Sequence, residues 1–310
     1  MKIVERLTRF TDAPCFSFEF FPPKSEEGVE ELFRTLGDLA PLRPAFVSVT
    51  YGAGGATRER TIDLVTRIKA ETGIEAMAHL ACLGHTEDEV AALVDRLAAA
   101  GVENLLALRG DPPREGPLPP SEFRHASELV RFVRRRGHDF CIGAAAHPEG
   151  HIECADRGVD MAHLKAKVEQ GVDFLVTQLF FDDAFYFDFV RRARERRIRL
   201  PVLPGLMPIT NAAQIERFTR LCGATVPMRL VLELERRRDD PSAVLELGVA
   251  HALDQARDLL ARGAPGIHFY TLNRSPATRR ILTELRRTYP AAAQDAPSSL
   301  PAHADKKRAG

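Results

Sequence analysis

Residues 15–20 read CFSFEF, and they are followed by Phe21, Pro22, Pro23 and a longer amphipathic stretch at 25–39. Strict alternation sets Phe16, Phe18 and Phe20 on one face of a strand and Ser17 and Glu19 on the other. The unit then repeats. Further strand candidates are AFVSVTY (45–51), EAMAHL (75–80), NLLALRG (104–110), FCIGAAA (140–146), FLVTQLF (174–180), PVLPGL (201–206) and GIHFYTL (266–272). Helical patterns separate them at about 57–72, 86–100, 121–136, 157–170, 183–197, 210–222 and 241–262, and one more follows at 275–288. Eight strands with interleaved helices predict an α/β fold, a single (β/α)8 TIM barrel closed on itself.

The length agrees with this reading. At roughly 150 residues per domain the 310 residues suggest two units, but α/β barrels run to about 250 residues as one. An extra helical segment before the eighth strand, opened by ELERRRDDPSAV with Asp239 or Asp240 as cap and Pro241 in the first turn, reads as an insertion. The barrel is expected over 1–290. Residues 291–310, rich in Ala, Pro and Ser, are expected to form a disordered tail.

Lys and Arg number 43 and Asp and Glu 43, so the formal net charge is zero. That gives no long-range attraction for nucleic acid or an anionic membrane. The runs RRR at 134–136, RRARERR at 191–197 and RRR at 236–238 read as solvated helix faces. No stretch approaches the ~20 apolar residues of a membrane span, and the N-terminus is too charged for a signal peptide. Five widely spaced cysteines form no disulfide framework. The expected partner is a small molecule and the expected compartment the cytoplasm.

In such a barrel the chemistry gathers at the C-terminal ends of the strands. Glu19, Thr50 and Tyr51, His79, Arg109-Gly110-Asp111, His147 to His151, Gln178, and Tyr270 to Arg274 all fall there. Glu19 points inward among aromatics, where burial disfavours its charged form and suits it to general acid work; the alternative is an inward Glu satisfied by a neighbouring Arg or Lys. Asp111 is either a carboxylate aimed at a ligand or a loop Asp capping its own turn. Gln178 needs hydrogen-bond partners, in the core or in a ligand. Two rival motifs stand beside these. The run Tyr51 to Thr57 nearly matches a dinucleotide fingerprint but has Thr57 at the third glycine position. The spacing of His79, Cys82 and His85, with His147, His151 and Cys154, would suit a zinc hydrolase on the same barrel.

The motifs FSFEFFPPK (16–24), FVSVTYGA (46–53), AHLAC (78–82), LALRGDPP (106–113), PEGH (148–151), TQLFFD (177–182), PGLMPIT (204–210) and HFYTLNR (268–274) closely resemble methylenetetrahydrofolate reductase of the bacterial type, in order, from about residue 10 to 290. The resemblance implies a TIM barrel that uses FAD to reduce methylenetetrahydrofolate with NADH or NADPH by a ping-pong mechanism, feeding methionine synthesis, and a homo-oligomer. Glu19 matches the general acid and Asp111 the carboxylate that contacts folate and tunes the flavin. Gln178, Gln214, Phe218, Tyr270 and Arg274 match substrate contacts. Thr50, Tyr51, His79, Arg109, Gly110, Asp111, Ala126, His147, His151, Asp160, His163 and Lys167 match flavin contacts. No metal is implied. His147 and His163 stand where many members carry Tyr and some carry Asn, and Ala166 where some carry Arg, which leaves a flavin-independent reductase as the alternative.

Overall fold

The computed structural model describes residues 1–9, 13–51, 55–112, 120–271, 273 and 276–291, without the side chains of 9, 55–59, 214 and 216–218. The strands are β1 Cys15–Phe20, β2 Phe46–Val49, β3 Ala76–Ala81, β4 Asn104–Leu108, β5 Cys141–Ala146, β6 Phe174–Thr177, β7 Val202–Leu203, β8 Gly205–Leu206 and β9 Gly266–Tyr270. The helices are α1 Ile3–Arg9, α2 Glu26–Leu39, α3 Gly55–Thr72, α4 Glu87–Ala99, α5 Ala126–Arg135, α6 Arg157–Val168, α7 Asp183–Glu195, α8 Ala212–Cys222, α9 Met228–Arg236, α10 Pro241–Ala261 and α11 Pro276–Thr288. Gly52, Ala53 and Gly54 of the near-fingerprint and the tail from 292 onward lie outside the described residues.

All strand pairs are parallel, in the order β7-β6-β5-β4-β3-β2-β1-β9-β8. The expected eight strands become nine among the described residues because the run at 201–206 is cut at Pro204, which has no N–H to give the ladder. β7 stays on β6 while β8 pairs with β9, so the two ends of the order are halves of one run and the ring is nearly closed. Phe16, Phe18 and Phe20 are fully buried against the surrounding helices, with Phe18 stacked on Phe269 at 5.9 Å. Alternation therefore sends Ser17 and Glu19 into the barrel.

Before β9 the extra segment consists of two helices, α9 and α10. Asp240 caps α10 by accepting from the Ser242 and Ala243 amides, and Pro241 opens its first turn. No described helix is long and apolar enough to cross a membrane.

The sequence reading did not foresee α1, seven residues that cover the N-terminal end of the barrel. Ile3 and Leu7 pack into the same apolar cluster as Phe46, Met77, Leu106, Cys141 and Phe174. Asn104, fully buried, locks the plug: its Oδ1 accepts from the Ile3 amide at 2.8 Å and its Nδ2 donates to the Met1 carbonyl at 2.9 Å and to Glu75 at 3.1 Å. Asn104→Leu keeps the volume but strands these groups. Urea unfolding should show a loss of about 1–3 kcal/mol, the cost of a buried unsatisfied polar group, and an unchanged midpoint would show that α1 does not plug the barrel.

Candidate active site

Glu19 stands at the C-terminal end of β1, in register with Ser48 on β2 and Tyr270 on β9. Its side chain is 12% exposed. Among the described residues no Arg or Lys pairs with it. Two imidazoles face Oε2 instead: His79 Nε2 from β3 at 3.5 Å and His268 Nε2 from β9 at 3.6 Å. Burial lowers the pKa of His79 to about 4, so at neutral pH it is an uncharged ring. Its Nε2 is buried without a hydrogen-bond partner.

His268 is fully buried and held on several sides. Its Nδ1 lies 2.8 Å from Ser17 Oγ, and its Nε2 lies 3.5 Å from Ser48 Oγ. The ring stacks on Phe46 at 5.9 Å and meets Tyr270 edge-on at 5.4 Å. Tyr270 donates its hydroxyl to the Thr177 carbonyl at 2.6 Å, which ties β9 to β6 over the β7–β8 run between them. Burial first, then the Glu19 charge, raises the Tyr270 phenol well above its usual range. Thr271 Oγ1 donates to the Glu19 carbonyl at 2.6 Å and fixes the backbone beneath the carboxyl.

A second group of polar residues lies at the ends of β4 and β5 and on α6. Gly110 has φ +85°, a left-handed conformation that turns the chain at the end of β4, and a Cβ there would come within 3.0 Å of the Ala81 Cβ. Arg109, just before it, forks onto the Glu153 carboxylate, with one arm at 2.9 Å. Lys167 on α6 donates to the Ala145 carbonyl at 2.7 Å; burial of its ammonium, partly offset by Asp160, lowers its pKa to about 8. Burial and then the Lys167 charge push His147 down to about 3, and its ring meets His151 at 4.6 Å. Asp160 accepts from the His151 amide at 3.3 Å.

The remaining expected residues are distributed as follows. Tyr51 is hydrogen-bonded to His85 Nε2 at 3.0 Å, and Thr50 lies beside it, half-buried. Ala126 opens α5, half-buried, while Asp111 and His163 are exposed. Gln178 turns its Oε1 back to accept from the Leu179 amide at 2.9 Å. Gln214 and Phe218 fall on α8, but their side chains, like Arg274, lie outside the described residues. The zinc spacing does not converge. His79 faces the interior, His85 faces Tyr51 and Glu89, and Cys82 Sγ lies 3.7 Å from the Arg109 and His125 carbonyls. Among the described residues no group of three or more His, Cys, Asp or Glu is placed to hold a metal ion.

Sequence reasoning missed His268 as a site residue. Alternation in GIHFYTL sets it on the same face as Tyr270, but its meeting with Ser17 and Glu19 depends on the β1–β9 pairing.

The family profile for methylenetetrahydrofolate reductase matches residues 3–286. A 5,10-methylenetetrahydrofolate reductase of Escherichia coli (strain K12) is 36% identical over 268 residues, covering 86% of this chain and 88% of that protein. Methylenetetrahydrofolate reductase (NADH) 1 of Arabidopsis thaliana is 35% identical over 305 residues, 92% of this chain and 51% of the relative. Methylenetetrahydrofolate reductase 1 of Schizosaccharomyces pombe is 36% identical over 291 residues, 92% and 48%. The chain thus spans about half the length of the plant and yeast relatives. A solved Clostridium thermocellum protein, described as binding two copies of 5-methyl-5,6,7,8-tetrahydrofolic acid, shares the fold with a TM-score of 0.65 at 14% identity, covering 93% of this chain and all of that one.

The two neutral histidines set an acid limit on stability. Their folded pKa values, about 4 for His79 and about 3 for His147, lie below the ordinary 6.5, so the unfolded chain takes up protons that the folded one refuses. Their contribution is complete above pH 6.5 and is lost as pH falls toward 4. Each should add up to about 1.4 kcal/mol per pH unit to the slope. Urea titrations from pH 7 to 4 should therefore be less steep for His79→Gln than for the parent, and equal slopes would place a charge on the buried ring.

Proposed function

The chain belongs to the methylenetetrahydrofolate reductase family, and on that premise we propose that it reduces 5,10-methylenetetrahydrofolate to 5-methyltetrahydrofolate with NADH or NADPH, using FAD. The product would supply methyl groups for methionine synthesis. The observation that carries this reading is Glu19, a nearly enclosed carboxyl at the strand ends with imidazoles and no Arg or Lys as its described ionisable partners. A permanent cation there would commit the group to the carboxylate form, which an imidazole does not do. Glu19 gives that proton to the folate amine, opening the five-membered ring to an electrophilic iminium.

The residues present fit a flavin dinucleotide. His79 Nε2 is a buried polar atom without a partner, and Lys167 is a cation drawn inward with one carbonyl as its described hydrogen-bond acceptor. Both lack what a ligand with ring acceptors and a pyrophosphate offers. Thr50, Tyr51, His79, Arg109, Gly110, Ala126, His147, His151, Asp160, His163 and Lys167 would hold it. When bound, FAD supplies the hydride relay between nicotinamide and folate. Tyr270, pinned to Thr177, and Gln178 would contact the folate, as would Gln214, Phe218 and Arg274, whose side chains lie outside the described residues. Both substrates use one mouth in turn, which gives ping-pong kinetics with mutual competition. The same reading makes the protein a cytoplasmic homo-oligomer.

Glu19→Gln tests this by stopped flow. Reduction of bound flavin by NADH should change little, while reoxidation by methylenetetrahydrofolate should slow by at least about 10², the lower end of what a positioned general acid contributes. Equal slowing of both halves would make Glu19 a positioning group. A colourless parent protein that still oxidises NADH with the folate would point to the flavin-independent reductase. Asp111→Asn, which removes a charge at the rim, should raise the flavin reduction potential and weaken folate turnover; an unchanged potential with normal folate binding makes Asp111 a turn residue.

A further inference from the structure

We propose that His268, held by Ser17, is a positioning residue that sets whether Glu19 is offered a lone pair or an N–H, and so which protonation state of the acid is favoured. The inference rests on the reading of Glu19 as the proton donor to a reduced folate. It begins with the unequal contacts of one imidazole. Nδ1 has a short partner, Ser17 Oγ at 2.8 Å, whereas Nε2 has only long ones, Ser48 Oγ at 3.5 Å and Glu19 Oε2 at 3.6 Å.

A neutral imidazole has one N–H and one lone pair. A buried N–H without a good acceptor costs more than an under-used lone pair. The proton therefore belongs on Nδ1, where it is donated to Ser17 Oγ, and the Nε2 lone pair faces Glu19. An acceptor at that point favours the protonated carboxyl, the form that can deliver a proton. Once the proton has left, the carboxylate faces the same Nε2 lone pair, which favours return of a proton to Glu19 before the next turnover. The ring itself cannot swing away, because Phe46 covers its face and Tyr270 its edge.

The groups facing Glu19 from its packed neighbours are His268 and Tyr270 on β9, His79 on β3, and Ser48 on β2. Tyr270 spends its hydroxyl hydrogen on the Thr177 carbonyl, and Ser48 is neutral. His79 lies as close as His268, but its Nε2 has no partner and nothing described selects its tautomer. His268 alone of the two has a side chain, Ser17, committed to its far nitrogen.

Two measurements on the purified protein test this. Nitrogen-15 NMR of the resting protein at pH 7 should give His268 as the Nδ1–H tautomer with a free Nε2; an Nε2–H tautomer or an imidazolium overturns the proposal. In Ser17→Ala the choice of tautomer is lost, so reoxidation by methylenetetrahydrofolate should be about tenfold slower at pH 8 and within about twofold of the parent at pH 6, a profile displaced by roughly one pH unit. Ser17→Thr, which keeps the hydroxyl, should restore the parent profile. An Ala variant that is slowed equally at every pH, or one that is not slowed at all, also overturns it. A parent protein that does not turn over methylenetetrahydrofolate would instead defeat the functional reading, and the NMR result would then stand on its own.

Discussion

The site depends on the seam where the first strand pairs with the last. Cys15 lies against Gly266, Ser17 against His268 and Glu19 against Tyr270, and a slip of one residue would reverse every inward and outward assignment on β9. Gly266 fixes that register sterically. Its φ of +157° and the closeness of Cys15, whose carbonyl oxygen would lie 1.9 Å from any added Cβ, leave no room for a side chain. The closure is completed one strand further on, where the break at Pro204 lets the same run serve β6 with one half and β9 with the other. The acid and its serine share β1 while their histidine comes from a segment about 250 positions away, and only closure makes them neighbours.

The two ends of the barrel satisfy their buried polar groups differently. At the N-terminal end Asn104 has partners for both ends of its amide, and Arg134 spreads over the Gly171 and Phe140 carbonyls and the Asp173 carboxylate. Such saturated networks stabilise and need nothing added. At the other end His79 Nε2 has no partner, Glu19 has only contacts of 3.5 Å and more to its histidines, and Lys167 is drawn inward with its pKa lowered. A buried polar atom left open costs stability. The openings at His79 Nε2 and Glu19 lie at the strand ends where a ligand can enter, the placement expected of a site that its substrates complete.

What could be read from the sequence follows from how local each signal is. Phe16, Phe18 and Phe20 announced the outer face of β1, and with it the inward Glu19, because alternation needs only six residues. Asp240 and Pro241 marked the start of α10 for the same reason. The seven residues of α1 carry too little periodicity to announce a helix; they are stabilised by Asn104 and by the apolar interior they cover, contacts about 100 positions away. The spacing of His79, Cys82 and His85 misleads for the opposite reason. Neighbours in sequence, they turn to three different surroundings once the strand ends and the loop begins. His268 lay inside a recognised motif, but its importance is a property of the β1–β9 pairing and not of its own stretch.

Why histidine, and not arginine or lysine, faces Glu19 follows from the energetics of a shared enclosure. A guanidinium or ammonium within 4 Å would stabilise the carboxylate by more than enclosure destabilises it, and would commit the group to its charged form. An apolar wall would do the reverse and would oppose ionisation at every stage. A neutral imidazole lies between these extremes, since either nitrogen can carry the hydrogen and the ring need not change its charge or its place to serve either form of the acid. That freedom is useful only if something selects between the two states. On β1 the selecting group is two residues from the acid itself: alternation that turns Glu19 into the barrel also turns Ser17 into it, one layer deeper, against the far nitrogen of His268. The short run CFSFEF therefore contributes both the proton donor and the hydroxyl that sets its neighbour.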